Sequence, residues 1–111
     1  MTTRLPIVYL GLGSNLGDRE RNLSVALLRL PPLVRIEAVS SLYETDPLGP
    51  QDQPPYLNAV CRGVTGLQPR ALLRHLLAVE HELGRRGRAH ARWGPRPIDI
   101  DLLLYGDAVI D

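Results

Sequence analysis

Residues 98–105 read Ile98-Asp99-Ile100-Asp101-Leu102-Leu103-Leu104-Tyr105, apolar and acidic side chains in strict alternation and then a run of leucines. Alternation at period two marks a half-buried β-strand. Ile98, Ile100, Leu102 and Leu104 are expected on the core face, and Asp99 and Asp101 together on the other face, about 7 Å apart along the chain. Upstream, Leu72, Leu76, Val79 and Leu83 form an apolar stripe at helical spacing, between Pro69 at the start and Gly84 at the stop. Before that helix, Leu57 to Val64 predicts another strand.

The segment Glu44 to Pro55 carries Pro47, Gly49, Pro50, Pro54 and Pro55, too much proline for a helix or a central strand, and predicts a loop. Val34 to Tyr43 predicts a strand with Ile36, Ala38, Ser40 and Leu42 on one face. Leu23, Ala26, Leu27 and Leu30 predict a helix opened by Gly17-Asp18 and ended by Pro31-Pro32. Ile7 to Leu12 is β-branched and apolar, a buried strand that stops at Gly13. The order strand, helix, strand, strand, helix, strand predicts an α+β fold of the ferredoxin-like βαββαβ kind, with a four-stranded antiparallel sheet and two helices on one face. Ala108-Val109-Ile110 reads as the start of a further element. This arrangement serves many unrelated functions, so the side chains must decide the chemistry.

With 111 residues, 44% of them hydrophobic and 23% charged, the chain is expected to form a single domain over 1–111, large enough for one core without disulfides. No apolar run approaches a membrane span and the N-terminus lacks a signal-peptide core, so a cytoplasmic protein without membrane partners is expected. The lone Cys61 lies in an apolar run with no metal-ligand spacing, and reads as a buried small hydrophobe in a reducing compartment. The net charge of +1 argues against a general polyanion binder. All 13 basic residues are nonetheless arginine, and Arg85, Arg86, Arg88, Arg92 and Arg96 fall between Gly84 and Pro97 with no acid among them. The arginine fork suits phosphate oxygens, which makes this stretch either a phosphate site or a solvated basic loop.

Two aspartates side by side repel unless a cation lies between them, and a divalent metal or an arginine meets that need. Oxygen ligands with positions left for water and phosphate suit Mg²⁺ better than Zn²⁺. The adjoining Trp93-Gly94-Pro95-Arg96 adds an indole and an arginine, the parts of a site for a metal-bound phosphate ester carrying a stackable base. Gly11-Leu12-Gly13-Ser14-Asn15-Leu16-Gly17 fits neither the dinucleotide fingerprint nor the P-loop, and reads as a tight turn into a helix in which Asn15 caps or contacts a ligand. Glu80, at the edge of the helical stripe, is placed to accept from a ribose hydroxyl or to pair with Arg85. Asn58 is the odd amide in an apolar run and needs partners, and an amide suits the edge of a heterocycle. His75, His81 and His90 have no mutual spacing that suggests a metal or catalytic pair. The competing class is a non-catalytic ferredoxin-like module gripping RNA phosphate, but such readers place aromatics where this chain has aspartates, so no nucleic-acid partner is expected.

Taken together, GSNLG at 13–17, SLYET at 41–45, PLGPQDQP at 47–54, YLNA at 56–59, EHELGR at 80–85 and RWGPRPIDIDLL at 92–103 resemble the 6-hydroxymethyl-7,8-dihydropterin pyrophosphokinase family across nearly the whole chain. The last of these is the family's signature. The resemblance implies transfer of pyrophosphate from ATP to the hydroxymethyl group of 6-hydroxymethyl-7,8-dihydropterin in folate biosynthesis. It implies that Asp99 and Asp101 hold two Mg²⁺ ions and that Arg85 and Arg96 assist transfer. Glu80, Leu73, Arg88, Trp93 and Leu102 are implied at the nucleotide, and Asn15, Thr45, Leu48, Gly49, Tyr56 and Asn58 around the pterin. Family members also carry, past the position of Asp111, a Pro-His segment, another nucleotide-contacting arginine and an aromatic stacking on the pterin. A short form, monomeric or weakly dimeric, with weakened ATP contact and reduced pterin affinity, is therefore expected.

Overall fold

Val8, Leu10 and Leu12 alternate with Ile7, Tyr9 and Gly11, and this pleat forms the central strand β1 (Ile7–Ser14). A computed structural model of the chain describes residues 4–46, 53–84, 97–106 and 108–109. After β1 the chain turns at Gly17, whose φ of 73° lies in the left-handed region that glycine enters without a Cβ penalty. The carboxylate of Asp18 then accepts from the Arg21 amide at 3.1 Å and caps α1 (Arg19–Arg29). Glu20 in the first turn and Arg29 in the last complement the helix dipole.

Three strands follow α1: β2 (Val34–Val39), β3 (Tyr43–Thr45) and β4 (Tyr56–Thr65). Helix α2 (Pro69–Gly84) and the strands β5 (Asp99–Tyr105) and β6 (Ala108–Val109) complete the described chain. The sheet is antiparallel throughout, in the order β2-β4-β1-β5-β6, with β3 also paired to β4. Val8, Leu10 and Leu12 of β1, Cys61 of β4, and Ile100 and Leu102 of β5 bury against Leu23, Ala26, Leu30, Leu72, Leu76 and Val79 of the helical layer. Burying each of the Val, Leu and Ile side chains stabilises the fold by about 1.5–3 kcal/mol before conformational entropy is set against it. His75 Nε2 donates to the Leu30 carbonyl at 3.0 Å, and Arg29 pairs with Glu82, so the two helices are tied together as well as packed. No described helix is long and apolar enough to cross a membrane.

The sheet has six strands rather than the four expected, for two local reasons. The strand expected over 34–43 breaks after Val39. Register shifts around Glu37, and Ser40 then takes both hydrogen bonds of Val60, donating its amide to the carbonyl and accepting the Val60 amide on its own hydroxyl at 2.9 Å. A side-chain oxygen replacing a backbone carbonyl ends regular pairing, and the chain resumes as β3 beside the other end of β4. Ile36 is half-buried, whereas Ala38, Ser40 and Leu42, expected on the same face of one strand, are exposed around the break. Tyr43, Glu44 and Thr45 pair with β4, which draws the head of the expected proline-rich loop into the sheet. At the other end, Gly106 with φ 57° turns the chain so that Ala108 and Val109 pair back on Tyr105 and Leu104.

Gly11 and Gly13 are also not part of a turn. Both belong to β1, each paired on both sides, and the turn proper begins beyond Ser14.

Candidate active site

Both described helices lie on one side of the sheet, and the other side carries the polar residues that alternation turns away from the core. Two ranks cross that face. Asn58, Gly13 and Asp99 are register partners in one, and Val60, Gly11 and Asp101 in the next. The two glycines form a floor that brings no side chain of its own between β4 and β5; Leu103 leans over Gly11, its Cδ1 3.4 Å from where a Cβ would stand, and the aspartates lie along one rim. Asp99 is half-buried and Asp101 exposed.

The opposite rim belongs to β4 and β3. Asn58 Nδ2 donates to Thr45 Oγ1 at 2.9 Å and to the carbonyls of Tyr43 and Tyr56 at 3.2 and 3.4 Å. Its donors are therefore engaged with β3 and its own strand. Its Oδ1 is turned over the floor, 3.0 Å from where a Cβ on Gly13 would stand. Tyr56 leans across the same glycine and donates its hydroxyl to Asp99 Oδ2 at 3.2 Å. Thr45, Tyr56, Asn58, Asp99 and Asp101, singled out separately along the sequence, are brought to one surface.

Strand β5 is held on its outer edge too. The Ile100 amide, which successive alternation points away from β1, donates to Glu80 Oε2 of α2 at 2.6 Å. Glu80 is therefore bound to the backbone between the two aspartates. Leu73 lies on α2 and is exposed, whereas Leu102 is buried in the core.

Asn15 is fully buried, and its Nδ2 donates to Gln53 Oε1 and to the Pro54 carbonyl, each at 3.2 Å. Arg19 donates to the Pro55 carbonyl at 2.9 Å and pairs with Glu44 at 2.8 Å. The head of α1 thereby grips the chain on both sides of residues 47–52, next to Thr45 and Tyr56. Leu48, Gly49, Arg85, Arg88, Trp93 and Arg96 lie outside the described residues.

Among the described residues no group of three or more His, Cys, Asp or Glu side chains could hold a metal. The donor set is the carboxylate pair, and this fits Mg²⁺, which commonly takes one or two protein carboxylates and fills its octahedron with water and substrate phosphate. The glycine floor and Arg19 are the parts of this surface that motif reading passes over. The signal for the floor is periodicity: Gly11 and Gly13 repeat at the same interval as Asp99 and Asp101, which is a strand interval.

The family model of 7,8-dihydro-6-hydroxymethylpterin-pyrophosphokinase matches residues 9–110 of the chain. A 2-amino-4-hydroxy-6-hydroxymethyldihydropteridine pyrophosphokinase of Aquifex aeolicus is 47% identical over 103 residues, covering 93% of this chain and 63% of that protein. One of Bacillus subtilis is 48% identical over 101 residues, covering 89% and 59%. A folate synthesis bifunctional protein of Arabidopsis thaliana is 44% identical over 106 residues, 95% of this chain and 22% of the plant protein. The chain spans about three-fifths of the length of the two bacterial relatives.

Proposed function

Because the chain belongs to the 7,8-dihydro-6-hydroxymethylpterin-pyrophosphokinase family, we propose that it serves Mg²⁺-dependent transfer of pyrophosphate from ATP to the hydroxymethyl group of 6-hydroxymethyl-7,8-dihydropterin, a step of folate synthesis in the cytoplasm. The observation that carries this reading is the pair Asp99 and Asp101 on an open sheet face, with Tyr56, Asn58 and Thr45 across a glycine floor. The strand order β2-β4-β1-β5 supports taking the core as ferredoxin-like, with β3 and β6 as additions.

On this reading the carboxylates hold two Mg²⁺ ions, which when bound neutralise charge on the polyphosphate. Transfer of this kind asks a protein mainly for positioning and for cations at the phosphate oxygens. Arg85 and Arg96 supply fixed positive charge to those oxygens, with Arg88, Trp93, Glu80, Leu73 and the Leu102 backbone at the nucleotide. Tyr56 offers a ring to the flat pterin and Asn58 Oδ1 an acceptor to its amino edge. Thr45 keeps that acceptor aimed by engaging Asn58 Nδ2. Asn15 acts from below, by holding Gln53 and Pro54, and Leu48 and Gly49 complete the pterin side.

The test is calorimetry of a non-hydrolysable ATP analogue with and without Mg²⁺, on the chain and on Asp101→Asn. The variant should keep its melting temperature within a few degrees and lose Mg²⁺-dependent nucleotide binding. Undiminished metal dependence in Asp101→Asn would refute the assignment.

A further inference from the structure

The Tyr56 hydroxyl crosses a whole strand to reach Asp99. Tyr56 is on β4 and Asp99 on β5, with β1 between them, and the two meet at 3.2 Å over Gly13, which has no side chain to crowd the ring. A Cβ at that position would stand 3.3 Å from Tyr56 Cδ1, 3.8 Å from Cε1 and 3.0 Å from Asn58 Oδ1. Tyr56 and Asn58 would each have to give by a few tenths of an ångström, which lengthens a hydroxyl–carboxylate contact already at 3.2 Å.

We propose that the Tyr56 hydroxyl is a positioning group for the divalent cation, orienting Asp99 through its hydrogen bond to Oδ2, and that Gly13 leaves room for the ring that carries it. The inference rests on the carboxylate pair being the metal site, and adds a role that ring stacking does not require. A donor fixed on one carboxylate oxygen narrows the orientations that the group can adopt, and partners of this kind commonly affect metal affinity by roughly tenfold to a hundredfold. The same tyrosine then borders both substrate subsites, the ring toward the heterocycle and the hydroxyl toward the metal carboxylate.

The experiment titrates Mn²⁺ against the chain plus a non-hydrolysable ATP analogue and follows free Mn²⁺ by electron paramagnetic resonance. Tyr56→Phe keeps the ring and removes only the hydroxyl, so a structural or stacking role alone would leave the titration unmoved. Roughly tenfold weaker Mn²⁺ binding is expected, with an unchanged melting temperature. Gly13→Ala keeps the hydroxyl but displaces the ring, and should weaken Mn²⁺ to a similar degree. Asp99→Asn serves as the control for the site itself. If Asp99→Asn loses Mn²⁺ while Tyr56→Phe binds within twofold of the parent, the positioning role is refuted and the metal site stands, whatever Gly13→Ala does. If Asp99→Asn binds as the parent does, the metal site fails and the positioning role with it.

Discussion

Cys61 shows how far one side chain can be read before its neighbours are known. It projects from β4 toward the helices with 1% of its surface exposed, as expected for a lone thiol in an apolar run. Burial pushes the thiol from its ordinary 9.0 up to about 11, against a smaller downward pull from its hydrogen bond with the Leu10 backbone. The fold therefore keeps its proton at pH values where the unfolded chain has lost it. Stability from this residue is complete below about pH 9 and is lost as pH climbs through about 11, by an amount on the order of 2 kcal/mol. Urea denaturation at pH 8 and pH 10.5 should show the parent losing more stability between the two than Cys61→Ala does. Equal losses would mean the thiol is solvated. Asn15 and Gly13 are the contrary cases. The partners of Asn15 are Gln53 and Pro54, and the neighbours over Gly13 are Tyr56 and Asn58, all far along the chain. Local spacing carries no trace of either relation, since both arise only when β4 is laid beside β1.

At the level of elements, what the sequence discloses follows burial. The stripes Leu23, Ala26 and Leu30, and Leu72, Leu76 and Val79, are legible because each helix buries one face and exposes the other. Strand β2 is poorly legible because it is a sheet edge: past Val34 and Ile36 no described residue buries it, so no apolar alternation is required. The outer edge of β5 is the more informative one. Among the described residues β6 pairs only with Leu104 and Tyr105, and the Ile100 amide is satisfied by a carboxylate from α2. That bond ties the segment carrying Asp99 and Asp101 to a helix, so Glu80 steadies both carboxylates through the backbone between them. Hydrogen exchange should find the Ile100 amide slow despite its edge position, and roughly tenfold or more faster in Glu80→Ala, with Glu80→Gln intermediate. An unaltered rate in Glu80→Ala would show that something else protects this amide. Arg19 is the corresponding device on the other rim, joining Glu44 to Pro55. Being partly exposed, it is worth about 1 kcal/mol or less to overall stability, and its effect belongs to the alignment of β3 with β4.

For the molecule as a whole, the alternation of elements was enough to anticipate an antiparallel sheet under two helices, since each strand has one apolar face and must share a single core. The pairing order has no such local signature, and it has its own consequence. β1 is made first and lies in the middle: it pairs with β4 on one side and β5 on the other, so that Val8 finds Val64's neighbour Gly63 and, almost a full chain length later, Tyr105. A strand whose two partners are both distant in sequence cannot be stabilised as it leaves the ribosome, because loop closure must be paid before either ladder forms. Until β4 emerges, Ile7–Ser14 is an apolar segment with both edges open, and until β5 emerges it still has one. Nascent chains arrested after α2 should accordingly leave half of the β1 amides unprotected in pulse-labelling and bind chaperone, whereas chains extended past Tyr105 should release it. The strand that supplies the two glycines is the first of the described strands to be synthesised and among the last to be completed, so the face bearing Asp99 and Asp101 exists only once nearly all of the described chain has been translated.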